Sequence, residues 1–330
     1  MRGQLPARTL EGVPTTLRRW RPSQVAMRRA FLGALVMNTV IVVTGGAVRL
    51  TASGLGCPTF PRCTEDSLVA TREMGAHGVI EFGNRLLTFV LTAAVLAAVV
   101  LAWRAGRRDL LRSALVLFGG IVVQALLGGV TVLTGLNPVT VMAHFLLSIA
   151  LIAVAVSAYE RVDAPGREDH DVVRREVRFG AGLLTVVVGA TLVLGTVVTG
   201  TGPHSGDREA SDRLPFDLET VTQLHADLVF LVVGLTVGLL LAVRVSGVPQ
   251  PLPRRVVILL AAVMAQGLVG YAQYVTDLPV VLVGIHVLGA CLVWIATVRV
   301  FLAAGVGGRP GLRPAWLAGS RPEPAWAAGR

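Results

Sequence analysis

Eight apolar runs, each long enough to cross about 30 Å of hydrocarbon as a helix, constrain this chain more than any other feature of its sequence. They fall at residues 30–48, 75–102, 112–133, 138–158, 179–200, 221–243, 254–275 and 280–304. With no water in the bilayer core, backbone N–H and C=O groups must pair within the segment, as they do in a helix. The expected fold is therefore an all-α membrane protein of eight transmembrane helices. At 53% hydrophobic and 15% charged residues the chain is too apolar for an ordinary soluble domain.

The net charge of +10 comes with thirty arginines and no lysine, scattered through short loops and two tails without a continuous basic face. That pattern is loop charge on a membrane protein and not a nucleic-acid surface. The tail of residues 1–29 carries seven arginines, the loop after the second run four, that after the fourth five and that after the sixth three. The C-terminal end carries five counting Arg299, whereas the alternate loops hold only Arg49, Arg62, Arg72, Arg208 and Arg213. The positive-inside rule then puts both termini in the cytoplasm of a cell-membrane protein, with the odd-numbered loops outside. The first run has no small-residue cleavage site at its end and reads as a retained anchor. The Pro/Gly/Ala-rich stretch of residues 305–330 is expected to be disordered.

An internal repeat organises the helices. From Gln124 the residues Gly128, Thr134, Leu136 and His144 recur at the same offsets as Gly270, Thr276, Leu278 and His286 from Gln266. Earlier in each copy, Val43-Thr44-Gly45 matches Val198-Thr199-Gly200, and Gly83 to Phe89 falls on Leu224 to Phe230, so that Asn84 takes the place of His225. An even number of crossings separates the copies, which makes them two four-helix bundles in the same orientation. The expected organisation is a half over residues 30–158, a cytoplasmic linker at 159–178 and a second half over 179–304.

His77, His144, His225 and His286 fall in the outward halves of the second, fourth, sixth and eighth runs, whereas His170 and His204 lie in loops. Polar groups in a bilayer are costly unless partnered, so each is a functional candidate. Imidazoles on neighbouring helices can give a heme iron two axial ligands, and a bundle interior can bury the macrocycle. His225 and His286 make the clean pair. His144 lacks such a partner because Asn84 stands where a histidine is needed. His77 lies two turns earlier on the same face and is expected to take that role, the alternative being His144 as sole protein ligand on that side. Glu81 and Arg85 share this stripe, and either bind an anionic or reactive ligand or pair with each other at i,i+4. Arg49 is either an interfacial anchor or a partner for heme propionates. Gln124 and Gln266 serve a histidine, a propionate or interhelical packing; Tyr271 and Tyr274 read as interfacial aromatics. Cys57 and Cys63 share the first outward loop, where an oxidising compartment permits either a disulfide or a redox-active thiol pair; Cys291 reads as packing.

Several motifs together resemble the heme A synthase family. They are Thr44-Gly45-Gly46-Ala47-Val48-Arg49-Leu50-Thr51, Gly54-Leu55-Gly56-Cys57-Pro58, Glu81-Phe82-Gly83-Asn84-Arg85, Gly128-Gly129-Val130-Thr131-Val132-Leu133, Gly200-Thr201-Gly202-Pro203-His204, and the stretch from Gln273-Tyr274 through Leu278-Pro279 to His286. The resemblance runs from about residue 30 to 304. It implies oxidation of the C8 methyl of heme O to the formyl group of heme A by successive hydroxylations. It also implies a heme b in the C-terminal half on His225 and His286, a Cys57–Cys63 disulfide, and a substrate heme in the N-terminal half. Heme O, heme A and membrane lipid are then its partners; a heme O synthase and further copies of the chain are the protein partners to consider. The family pattern has a Glu, then a His three residues later, then Arg; here it reads Glu81, Asn84, Arg85. The substrate site is accordingly assigned to His77 and His144 with Asn84, Arg85 and Arg49, and Glu81 is the candidate catalytic group. The competing classes are an electron-transferring cytochrome b-like protein, which would suit duplicate histidine pairs, and a transporter, which would be colourless when purified.

Overall fold

A computed structural model describes residues 21–163, 173–204, 206–207 and 212–305. His170, most of the N-terminal tail, the middle of the linker and the C-terminal tail lie outside the described residues. Eight long helices account for most of the rest: α1 (Gln24–Leu50), α2 (Gly75–Ala105), α3 (Arg108–Leu133), α4 (Pro138–Val162), α5 (Arg175–Thr201), α6 (Leu218–Val245), α7 (Leu252–Val275) and α8 (Val280–Ala303). All eight are long and apolar enough to span a membrane, and no strand occurs among the described residues. The chain is a multi-pass membrane protein.

Each helix outruns or closely matches its apolar run, because the polar end-turns add backbone hydrogen bonds before a cap stops them. Ser23 caps α1 by accepting from the Ala26 N–H at 3.1 Å, well before the apolar stretch begins. Asn137 caps α4 ahead of Pro138, which needs no N–H partner in the first turn. Asp217 caps α6, and the hydrogen bonds it accepts from Thr220 hold its carboxyl below the usual range. At the far end of α2, Gly106 adopts φ 69°, the left-handed conformation that ends helices at glycine.

Within the first half α1 packs on α2, α2 on α3, α3 on α4 and α4 back on α1, closing a ring; α5 to α8 close an equivalent ring. The halves meet where α4 and α8 cross and where each first helix reaches the other half's last, α1 on α8 and α5 on α4. That exchange is what a twofold relation between the copies demands. The backbone repeats as well: Leu136 and Leu278 both take positive φ, 62° and 58°, an uncommon conformation for leucine. The Leu136 N–H donates to the Thr131 carbonyl at 2.9 Å and the Leu278 N–H to the Gln273 carbonyl at 2.8 Å, so the duplicated residues build one turn twice.

The cores lie along the inner seams. One fills the second half around Leu184, Leu239, Leu259 and Val263. Another joins α1 to α4 with Cys291 and Val298 of α8, so Cys291 is buried at the seam between the halves and serves packing. Outer faces carry large apolar side chains, among them the repeat-related Phe89 and Phe230, 72% and 74% exposed. In a bilayer such a surface meets lipid and needs no protein partner.

Candidate functional site

The four intramembrane histidines sit toward the end of the bundle that carries the Cys57/Cys63 loop, here the Cys-loop face. His225, His286 and His144 are half-buried in the second turns of α6, α8 and α4. Each rests against a glycine of a neighbouring helix. A Cβ on Gly195 would lie 3.1 Å from the His225 Cε1, and one on Gly270 or Gly128 would lie 3.2 Å from the Cε1 of His286 or His144. These glycines let the imidazole rings approach the neighbouring helix backbones with their Cε1 edge foremost.

The repeat extends to the hydrogen bonds that carry the rings. Gln266 Nε2 donates to the His286 carbonyl at 2.8 Å and Gln124 Nε2 to the His144 carbonyl at 3.0 Å, so both glutamines tie helices together, α7 to α8 and α3 to α4. Nδ1 of His144, His225 and His286 is buried without a hydrogen-bond partner among the described residues. With Nδ1 enclosed, Nε2 is the ring nitrogen left for a ligand. His225 and His286 are close enough to interact electrostatically. The donor set in the second half thus fits a group that takes two neutral imidazoles.

The first half is built differently. His77, in the first turn of α2, is exposed, and its Nδ1 lies 2.9 Å from Ser53 Oγ. Asn84 Oδ1 accepts from the Thr44 hydroxyl of α1 at 2.7 Å. Glu81 is buried, 6% exposed. One of its oxygens accepts from the Cys57 N–H at 2.5 Å and the other from Arg85 Nη2 at 2.5 Å. Arg85 continues outward, donating to the carbonyls of Cys57 at 2.9 Å, Thr59 at 3.1 Å and Arg62 at 3.2 Å. Of the two readings of this i,i+4 pair the structure shows the self-pairing: the two side chains hold each other and together grip the loop.

That loop is closed by a Cys57–Cys63 disulfide, both cysteines fully buried, which decides between the two alternatives for this pair. Gly56 abuts the His77 backbone so closely that any Cβ would collide with it, and the Phe60 ring occupies the space a side chain at Gly129 of α3 would need. The loop thereby plugs the first half's end from α2 to α3. Across the halves, the Gly54 N–H donates to the Gly206 carbonyl at 2.8 Å.

Arg49 faces the second half: Nη2 donates to the Thr199 carbonyl of α5 at 2.7 Å, and Nε is buried without a partner among the described residues. His204, the repeat mate of Arg49, reaches the Leu278 carbonyl at 3.1 Å. Tyr271 and Tyr274 are exposed near the end of α7. The sequence offered no sign of the Thr44–Asn84 and Ser53–His77 contacts beyond Thr44 lying in the repeat, since both depend on how neighbouring helices and the loop are rotated.

Fold and site define a class: a multi-pass protein of two fused four-helix bundles, with glycine-cradled imidazoles set below a disulfide-closed loop. More narrowly, the chain belongs to the COX15-CtaA family, described as cytochrome oxidase assembly protein, whose model matches residues 28–204. That match covers more than half the chain, from α1 through α5. Among curated relatives, a heme A synthase of Listeria welshimeri is 27% identical over 171 residues, 50% of this chain and 55% of its own length. A heme A synthase of Lysinibacillus sphaericus is 29% identical over 179 residues, 52% of this chain and 57% of its own. The chain thus spans just over half the length of these relatives.

Proposed function

We propose that the protein is a heme A synthase, oxidising the C8 methyl of heme O to the formyl group of heme A. The observation that carries this reading is the His225–His286 pair, two imidazoles on different helices with Nδ1 enclosed and Nε2 left to ligate. In this reading the pair holds a heme b, and the first half receives heme O on His144. The iron porphyrin supplies the redox chemistry when bound. The chain's own residues hold and orient it. Gly195 and Gly270 let the rings seat, while Gln266 fixes the α8 backbone under His286. The buried Arg49 Nε offers a cationic N–H to an anionic substituent such as a propionate. Glu81, already oriented by Cys57 and Arg85, is preorganised to stabilise positive charge developing at the methyl carbon. The arginine distribution supports a cell-membrane protein with both termini cytoplasmic.

Co-expression with a heme O synthase, followed by extraction and mass analysis of the pigment, tests this. A formyl-bearing heme is expected; heme recovered unchanged would instead make the protein a cytochrome, and a colourless protein would point to transport. His225→Ala and His286→Ala should each abolish the low-spin Soret band of the resident heme while leaving helical content intact.

A further inference from the structure

The substrate half differs from the cofactor half at one ligand position, and the consequence rests on the heme A synthase reading. On the His144 side the two halves match: the same glycine contact, the same glutamine tie and the same enclosed Nδ1 recur at His144 and His286. On the other side they diverge. The repeat sets Asn84 of α2 where His225 stands on α6.

His225 extends across to α5 and lies against Gly195. Asn84 is shorter and is hooked to α1 by Thr44, with Gly45 beneath it, where a Cβ would come 3.8 Å from Nδ2. Thr44 and Gly45 correspond to Thr199 and Gly200, about one helical turn nearer the Cys-loop face than Gly195. The amide is therefore held at the α1–α2 seam, and a carboxamide is a poor ligand for heme iron beside imidazole. His77 does not restore the pair. It stands two turns further out, about 10 Å along the helix, with Nδ1 tied to Ser53 of the plug.

We infer that heme O in the first half takes one protein ligand, His144, and that the Asn84–Thr44 pair leaves its second axial position open to water or a small added ligand. Thr44 is a positioning residue that keeps the amide off the iron. The two halves then differ in coordination number: one iron saturated by protein, the other free to accept a reactant.

Spectroscopy of the purified full chain carrying its resident heme and ferric heme O tests this without turnover. The wild type should show a low-spin signal from the second half and a separate high-spin signal that added imidazole converts to low spin. Asn84→His should remove the high-spin signal and weaken imidazole binding by about tenfold or more. His77→Ala should leave both signals as they are, and His144→Ala should abolish only the high-spin one. A wholly low-spin wild type holding two hemes, or a high-spin signal that appears only in His77→Ala, overturns the inference. So does a first half whose spectrum ignores His144→Ala, even with the His225–His286 signal intact. Loss of every heme signal in the wild type defeats the underlying reading itself.

Discussion

Glu81 and Arg85 illustrate how much one buried ion pair can hold in place. The carboxylate side chain is 7% exposed and the guanidinium 22%, and each also bonds the loop backbone. Removing either partner leaves an uncompensated group in a low-dielectric setting, and the less exposed partner suffers more. Arg85→Ala strands the buried carboxylate and should cost about 3 kcal/mol. Glu81→Gln keeps an acceptor for the Cys57 N–H and leaves Arg85 three carbonyls, so about half that is expected. Melting in detergent and tryptic cleavage at Arg62 measure the effect; wild-type melting and an equally protected loop in both variants would show that the pair does not secure the plug. The pairing itself was legible from the i,i+4 spacing, and the placement of His77, His144, His225 and His286 on four separate helices from hydropathy. What Ser53, Thr44 and Arg49 touch was not, because each partner lies on a segment 24 to 150 positions away in sequence. Such contacts are set by helix rotation and loop path, which leave no periodic trace.

At the scale of helices, the apolar runs located all eight elements to within a few residues. The largest difference is at the start of α1, where Ser23 caps a helix whose first turns are polar. The repeat also made the α3–α4 and α7–α8 turns readable as copies, although not that a leucine in each adopts positive φ. Small residues decide how closely the paired helices approach. A Cβ on Gly289 of α8 would run into Gln266 Oε1 of α7, and Gln266 is the residue that ties the His286 backbone. In a free helix alanine is favoured over glycine by about 1 kcal/mol. Here that gain is offset by losing a hydrogen bond worth about 1 kcal/mol, so Gly289→Ala should melt within about 1 kcal/mol of the wild type. Its effect should appear in the site: on the proposed reading, with Gln266 displaced, heme held by His225 and His286 should dissociate about tenfold faster, which a heme-transfer assay to an acceptor protein measures. Gln266→Ala should reproduce the faster loss, and adding Gly289→Ala to it should change nothing further. An additive double variant would mean the glycine acts by another route.

For the whole molecule, the join between the halves is stronger than hydropathy could suggest, because charged residues reinforce it at the end of the bundle opposite the Cys-loop face. Glu160 near the end of α4 accepts from Arg255 of α7 at 2.5 Å and from Arg299 of α8 at 2.7 Å, while Arg255 also donates to the Arg299 carbonyl. Beside it Arg28 of α1 pairs with Asp163 at 2.5 Å and lies over the Tyr159 ring. Deeper in, Trp294 of α8 donates its indole N–H to the Ile149 carbonyl of α4 at 2.9 Å. The side chains of Glu160 and Arg255 are 17% exposed and that of Arg299 42%, so the first bond contributes more than the second, which water screens. Glu160→Ala would leave two guanidiniums side by side without their shared acceptor. Discounting for exposure, the expected loss is about 2 kcal/mol, between the values for surface and fully buried pairs. Since Glu160 lies far from His225 and His286 along the bundle, that loss should fall on the α4–α8 contact and leave the heme spectrum of the second half unchanged. Limited proteolysis in the 159–178 linker, read against the Soret band, separates the two. Faster cleavage with an unaltered band is expected; a changed band with unchanged cleavage would mean that the ion cluster acts on the heme site and not on the join.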